Sequence, residues 1–431
     1  MTSGTEPSIW RNGAFVRVWS AATVSLFGSL ITRLALPYVA ILVLAVGPLG
    51  VAGLRSAEIV AGLVVGLLAG VWVDRLRRRP VMIVADVGRA VLLGSIPLAA
   101  LGGWLTLAQL IVVAFGTAIL SAFFDAADPA YLPSIVERAA LVRANAALAA
   151  SASAAEVTAF GLAGFLVAAF TAPIAIGLDA VSFVASGLLL GSIRRAEPAP
   201  PPADDRDPVL AEMRAGVRLL AGDPVIRSLA ITRAIGAVGD GVFGGLWLLF
   251  VTRELGLGPI AVGLIAAVGG AASLGGAILV GRLTRRWTIG VVLLGALGTS
   301  AVASLAIPLA PSGAPLVAAG FLVVAQLVGD SSATVFGIAE VSVRQARVED
   351  RGLGRVTATI RTGVLLMELA GAIAAGLVAA AVGLRAAVFI APAAGLLATW
   401  FLWRSPARRL RAASAPTPPA SEAAAPGRDD Q

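Results

Sequence analysis

Twelve runs of mostly apolar residues, each about 20 residues or longer, recur along this chain of 431 residues. A helix needs about 20 residues to cross the roughly 30 Å hydrocarbon layer of a bilayer. The runs cover residues 17–45, 51–73, 81–101, 105–126, 142–168, 173–193, 227–252, 259–281, 288–309, 315–341, 356–382 and 384–403. Only 13% of the residues are charged, against about 25% in a soluble domain. The sequence therefore predicts an all-α membrane protein with twelve transmembrane helices.

The basic residues, all of them Arg, indicate how the chain is oriented. Short loops rich in positive charge stay in the cytoplasm. If the N-terminus lies inside, most of the 33 Arg fall in cytoplasmic segments, and the outer loops hold only Arg253 and Arg385. We therefore expect both termini in the cytoplasm and the chain in the inner (plasma) membrane of a bacterium.

A polar, Pro-rich stretch divides the chain near its middle. Residues 194–226 begin with this irregular sequence and become amphipathic around Val209–Leu220, which predicts a short interfacial helix. The C-terminal tail is rich in Ala, Pro and Ser, which predicts disorder. The predicted units are an N-terminal cytoplasmic tail (1–16), a first six-helix bundle (17–193), a cytoplasmic linker (194–226), a second six-helix bundle (227–403) and the C-terminal tail (404–431).

The two halves resemble a weak internal repeat. Glu156 and Gly164 of the first half recur at one common offset as Glu368 and Gly376 of the second. Parallel repeats of this kind hold a substrate near the membrane midplane, where the halves meet. The sequence thus predicts two pseudo-symmetric bundles around a central site.

Several chemistries are excluded by composition. The chain contains no His and no Cys, so a proton carrier has to be Asp or Glu, and we expect no metal site. It also has no Lys for a nucleotide-binding P-loop. We therefore expect no enzyme activity and no cofactor. The net charge of +8 lies in the predicted cytoplasmic loops and does not indicate nucleic-acid binding.

One loop carries a recognisable pattern. The stretch from Gly70 to Arg79 reads Gly-Val-Trp-Val-Asp-Arg-Leu-Arg-Arg-Arg, between the second and third runs. It resembles the signature loop of the major facilitator superfamily, which latches the cytoplasmic ends of helices in the outward-open state. The resemblance implies a gating role for Gly70, Asp74, Arg75 and Arg78. The alternative is that the Arg cluster only fixes the topology.

Further stretches resemble the enterobactin-exporter-like and macrolide-efflux-like drug exporters of that superfamily. They are residues 32–37, 84–90, 123–125, 131–134, 341–345 and 353–359. The resemblance implies the major facilitator fold. Two departures concern proton/drug antiport: the fourth run lacks the Arg, and the fifth lacks the Pro, that many proton-coupled exporters carry there.

Four acidic residues fall near the middle of predicted helices, where a charge costs roughly 3 kcal/mol. They are Glu156, Glu368, Asp240 and Asp330. One or more of them is predicted to bind a proton, because burial disfavours the carboxylate anion, and a cationic substrate would compete for it. The alternative is that they pair with Arg233, Arg361 or Arg33 and only hold the helices together.

Three other residues in the predicted helices complete the candidate site. Arg33 and Glu58 lie nearer the outer surface, and we favour a structural ion pair between them. Trp247, a little beyond Asp240 on the same helix, is the aromatic candidate for the cavity.

The sequence therefore predicts a secondary active transporter that expels small amphipathic molecules, such as a drug, an antibiotic or a siderophore-like metabolite. Its partners are a small-molecule substrate, protons and the lipid bilayer, and we expect a monomer that works by alternating access. The alternatives are a proton-linked importer and a non-transporting membrane sensor or assembly factor. The intramembrane acids favour a transporter, because a scaffold has no reason to bear their cost.

Overall fold

The computed structural model describes residues 9–72, 76–194 and 209–411, and these residues are almost entirely helical. Within these ranges, twelve helical segments are long and apolar enough to cross a membrane, which confirms the predicted fold class. The helices are α1 (Gly13–Tyr38), α2 (Pro48–Trp72), α3 (Arg78–Gly102), α4 (Leu107–Ile135), α5 (Leu141–Phe170), α6 (Ala172–Gly191), α7 (Val209–Gly222), α8 (Pro224–Arg253), α9 (Pro259–Arg286), α10 (Ile289–Ser304), α11 (Ala306–Leu309), α12 (Pro315–Arg347), α13 (Asp350–Ala381), α14 (Leu384–Val388) and α15 (Ile390–Arg404).

Two of the twelve spans are interrupted where a proline removes a backbone donor. The ninth span consists of α10 and α11, and Pro308 has no N–H group for the carbonyl of Ser304, where α10 ends. The twelfth span consists of α14 and α15, and Pro392 stands in the same relation to Val388. Both breaks lie inside single predicted runs. The residues on either side are equally apolar, so apolarity alone does not reveal where the helix is interrupted.

Helices also extend beyond the predicted runs at the end where the described chain begins and ends, at Ile9 and Arg411. We call this end the inner end and the opposite one the outer end. The runs 315–341 and 356–382 correspond to α12 and α13, which meet at Arg347 and Asp350. Arg347 Nε donates to Asp223 Oδ2 at 2.9 Å, and the other oxygen of this carboxylate accepts the first N–H groups of α8. An ion pair and a helix cap therefore stabilise these charged helix ends, which lie outside the apolar runs and were not predicted.

Some predictions fall outside the described residues. These are the Pro-rich part of the linker (195–208) and most of the two predicted tails (1–8 and 412–431). The helix predicted within the linker is present as α7, which packs against α13 and α8. Its interfacial position stays a prediction.

The two halves touch through α5 with α9 and through α2 with α13 and α8. On α5, a Cβ atom at Gly164 would lie 2.3 Å from the carbonyl oxygen of Pro259 and 2.9 Å from Cα of Gly263. On α13, a Cβ atom at Gly376 would lie 2.7 Å from Cβ of Ala52. The two glycines that recur in the sequence therefore both allow close contact between the halves.

The buried core joins the halves at the outer end only. One cluster combines residues of both halves, for example Val51 and Leu54 with Leu246 and Leu249. At the inner end of the described chain, one cluster belongs entirely to the first half and two belong to the second. The molecule is thus closed at the outer end, whereas its inner end has separate cores.

We predict that Gly164→Ala lowers the melting temperature of the protein in detergent by several degrees, because overpacking costs about 1–3 kcal/mol. Gly161→Ala is the matched control: it lies on the same helix, and its Cβ would meet Ala267 at an ordinary 3.9 Å. Both changes add the same helix propensity. Equal melting temperatures for the two variants would contradict the close contact.

Candidate functional site

A cavity of about 760 Å³ lies where the halves approach each other. Helices α1, α2, α3, α4 and α6 of the first half line it, together with one residue of α13. We call it the central cavity. Its charged lining residues are Arg33, Arg55, Glu58, Arg89, Asp125, Asp179 and Arg361.

An ion triad ties the two halves together beside this cavity. On α2, Arg55 Nη1 donates to Glu58 Oε2 at 2.7 Å. Its other terminal nitrogen donates to Oε1 of Glu368 on α13. Gly244 of α8 leaves room for the Arg55 side chain, since a Cβ atom there would lie 2.8 Å from its Nε. Glu368, one of the predicted coupling residues, therefore contributes to a contact between the halves.

The predicted pairing of Arg33 with Glu58 is wrong. Glu58 pairs with Arg55, which lies one turn away on the same helix. Arg33 faces the central cavity and makes no ion pair with any described residue. The sequence reasoning also missed Arg55, although the spacing Arg-x-x-Glu inside an apolar run was a usable signal.

Asp240 and Trp247 lie on α8, one turn before and one turn after Gly244. Asp240 is exposed, and the charges of Arg233, Glu368 and Arg55 act on it. Trp247 stacks on Phe243 with ring centroids 5.4 Å apart and packs against the shared core. It does not line the central cavity, so the prediction that it is a cavity residue is not supported.

The other two predicted acids do not reach Arg55. Glu156 is exposed on α5, does not line the central cavity and pairs with no described residue. Asp330 is half-buried between α12 and α9, where its Oδ2 lies beside Gly269. The structure thus brings together Glu368, Asp240 and Arg55, and leaves Glu156 and Asp330 apart.

A second charged group is buried inside the first half. Arg89 and Asp86, one turn apart on α3, are only 3% and 0% exposed, and the arginine Nη2 donates to Asp86 Oδ1 at 2.5 Å. The guanidinium lies 4.6 Å from the ring of Phe124 and 4.1 Å from that of Phe183. An opposite charge and two aromatic faces therefore compensate this cation.

Asp179 on α6 is equally buried and is held by hydroxyl groups. Thr32 on α1 donates to its Oδ2 at 2.5 Å, and Ser182 donates to its Oδ1 at 2.9 Å. A Cβ atom at Gly28 would collide with this carboxylate. The sequence reasoning did not propose Asp86, Arg89 or Asp179 as site residues, although charged residues within apolar runs were visible.

The signature loop is only partly described. Gly70 lies in α2 and Arg78 begins α3, whereas Asp74 and Arg75 lie outside the described residues. Arg79 donates to carbonyl groups at the C-terminal end of α6, at 2.9 and 2.7 Å. A cation there complements the end of the helix dipole. The gating role of the loop stays a prediction.

Two bundles of membrane-spanning helices that share one core at the outer end and hold charged groups at a central cavity define a membrane transporter. The profile described as Major Facilitator Superfamily matches residues 18–347. The chain belongs to the major facilitator superfamily, which is a family of transporters and not of enzymes.

Relatives and solved structures agree with this assignment. The chain is 26% identical over 305 residues to an uncharacterised MFS-type transporter of Sinorhizobium fredii, covering 70% of this chain and 73% of that protein. It superposes on a mutant of the nucleoside transporter NupG with a TM-score of 0.74 at 13% identity, covering 91% and 98% of the chains. A bacterial homologue of the iron transporter ferroportin, in its inward-facing state, gives 0.69 at 20% identity, with coverage of 92% and 99%. At these identities the structures show the fold alone.

We predict that Asp86→Asn destabilises the protein by about 3 kcal/mol or more, because it leaves the buried charge of Arg89 without a partner. The double variant Asp86→Asn/Arg89→Gln should regain part of the loss, because it removes that charge. Thermal unfolding in detergent measures both. A double variant less stable than the single one would contradict this account.

Proposed function

We propose that this transporter is a proton-driven exporter of small amphipathic molecules, acting as a monomer in the inner membrane of a bacterium. Glu368 is its coupling residue. The observation that carries the proposal is the ion pair between Arg55 and Glu368, because it connects the two halves at a point where both have to separate during alternating access.

The pair acts as a latch in the conformation described above. It holds α2 against α13 while the outer end is closed. A proton on Glu368, or a cationic substrate that binds its carboxylate, takes the partner away from Arg55. The attraction between the halves then weakens, and the outer end can open. The inner end is taken as cytoplasmic, as the distribution of Arg indicates.

This latch favours antiport over symport. An antiporter has to prevent the empty, deprotonated carrier from changing sides, because that step would dissipate the proton gradient. The Arg55–Glu368 pair forms when neither proton nor substrate occupies Glu368, so it stabilises the inward-open carrier against this leak. A proton-linked importer needs the empty carrier to return outward, and the same latch would slow it. A sensor or assembly factor has no use for either step.

The neighbouring groups support a role in substrate binding. Asp240 lies one turn from Gly244, the residue that leaves room for the Arg55 side chain, and Glu58 forms an ion pair with the same guanidinium. Arg33 faces the central cavity, whose walls also include apolar side chains. A cavity with charged and apolar walls suits amphipathic molecules. In the opposite conformation the signature loop with Gly70, Asp74, Arg75 and Arg78 would hold the inner ends together.

We expect Glu368→Gln to reduce gradient-driven flux of a cationic dye in proteoliposomes by at least tenfold, because glutamine cannot gain and lose a proton. Glu58→Gln is the matched control, since it removes the other carboxylate of Arg55 but no link between the halves. It should retain flux within about threefold. The pH gradient is imposed across the proteoliposome membrane, and dye movement is followed by fluorescence.

Full gradient-driven flux in Glu368→Gln would remove this residue from the coupling mechanism. Dye movement in the same direction as protons would favour the importer. Absence of flux of any tested cation in the wild-type protein, with normal insertion, would favour the sensor or assembly factor.

The effect of the latch can be tested by measuring the distance between the outer ends of the two halves. Because the chain has no Cys, spin labels can be placed at two introduced cysteines on the outer end, Ala108→Cys in the first half and Leu316→Cys in the second. Both positions are exposed. We expect Glu368→Gln to broaden the label–label distances towards larger values, and Glu58→Gln to leave them close to wild type. Identical distributions in all three proteins would contradict the latch.

A further inference from the structure

A second cavity, of about 340 Å³, lies within the first half. It is formed by α1, α4 and α5, with Arg89 of α3 at its border. We call it the side cavity. It shares Ser29, Arg89 and Asp125 with the central cavity, so the two spaces are neighbours. None of the residues predicted from the sequence as site residues lines the side cavity.

The charge of the side cavity is negative. Asp125 and Asp128, one turn apart on α4, both line it, and neither forms an ion pair or hydrogen bond with a described residue. The Arg89 charge is already matched by Asp86. The positive charges of Arg89 and Arg361 act on Asp125. The charges that act on Asp128 are only those of Asp125 and Asp86. Among the described residues, Asp128 therefore has no cationic partner.

Some hydroxyl groups in the same wall have a hydrogen-bond partner, whereas others have none. Ser29 donates to the carbonyl of Ser25 at 2.8 Å, and Ser151 is bonded to Trp19 at 2.9 Å. By contrast, the hydroxyl of Ser25 has no partner among the described residues, although the residue is only 4% exposed and lines the cavity. Thr23 has an equally unpaired buried hydroxyl. Buried polar groups are normally hydrogen-bonded, so these unmatched groups are free to bind a ligand.

The geometry points to a binding subsite in the side cavity for the ammonium group of a primary or secondary amine. Asp128 is its anionic anchor, and Ser25 is a neutral acceptor. An ammonium group brings both the positive charge and the N–H donors that these two groups lack. The wall also contains apolar side chains, with Leu26 and Leu148 available for the hydrocarbon part of the ligand.

Other cations fit less well. No group of three or more His, Cys, Asp or Glu in the described residues is arranged to hold a metal ion, so two aspartates alone provide too few ligands. A quaternary ammonium ion has the charge but no N–H donor, and a neutral alcohol has a donor but no charge. The side cavity should therefore distinguish an amine from both.

This subsite deepens the proposed export function by giving its substrate class, but binding does not require a proton gradient. The test uses the whole protein in nanodiscs and isothermal titration calorimetry. The probes are phenethylamine, its quaternary trimethylammonium analogue and phenethyl alcohol. We expect the amine to bind at least tenfold more tightly than either analogue.

Variants then locate the site. Asp128→Asn should weaken phenethylamine binding at least tenfold, and Ser25→Ala, which removes no charge, about threefold. Glu137→Gln, which removes an exposed carboxylate at the inner end of α4, should leave the dissociation constant within twofold. Size-exclusion profiles and melting temperatures confirm that each variant is folded before it is titrated.

The subsite is disproved if the three probes bind alike, or if Asp128→Asn leaves phenethylamine affinity within twofold of wild type. Loss of gradient-driven flux in Asp128→Asn with unchanged amine affinity would assign this aspartate to protons and would also overturn the subsite. Selective amine binding without gradient-driven flux in wild type would instead refute the export function and leave the subsite standing.

Discussion

An ion within the hydrocarbon layer is stable only beside an opposite charge or water, and this constraint organises the interior of the transporter. Arg89 meets it inside one bundle, through Asp86 and two aromatic rings. Arg55 meets it across the two bundles, because one of its carboxylates belongs to α13. The first arrangement survives any rigid movement of the halves. The second depends on their relative position, which is why it suits coupling.

Packing separates what is rigid from what can move. At the outer end, small residues such as Gly164 and Gly376 allow helices of different halves to approach closely. At the inner end, each half has its own apolar core. Contacts between small residues are smooth and contain few interlocked side chains. Two rigid bundles can therefore rock about this interface without breaking either core.

The fold does not select the cargo. The structures that superpose on this chain include a nucleoside transporter and a homologue of an iron transporter, and a shared fold hosts many functions. Charged residues that have no ion-pair partner among the described residues line both cavities. Arg33 faces the central cavity, whereas Asp128 faces the side cavity. These groups, and not the shared fold, bear on the class of substrate.

The sequence by itself determined the number of spans, the family and the depth of Glu368 and Asp240 within their helices. Length and apolarity specify these features, because a helix rises by a constant amount per residue. Only the tertiary structure decided that Glu368 forms an ion pair with Arg55, 313 positions away, and that Glu58 does not pair with Arg33. It also decided that Asp86, Arg89 and Asp179 are buried together. Lipid is as apolar as the protein interior, so hydrophobicity does not reveal which face of a membrane helix points inward. Helix rotation and choice of neighbour are set by packing alone.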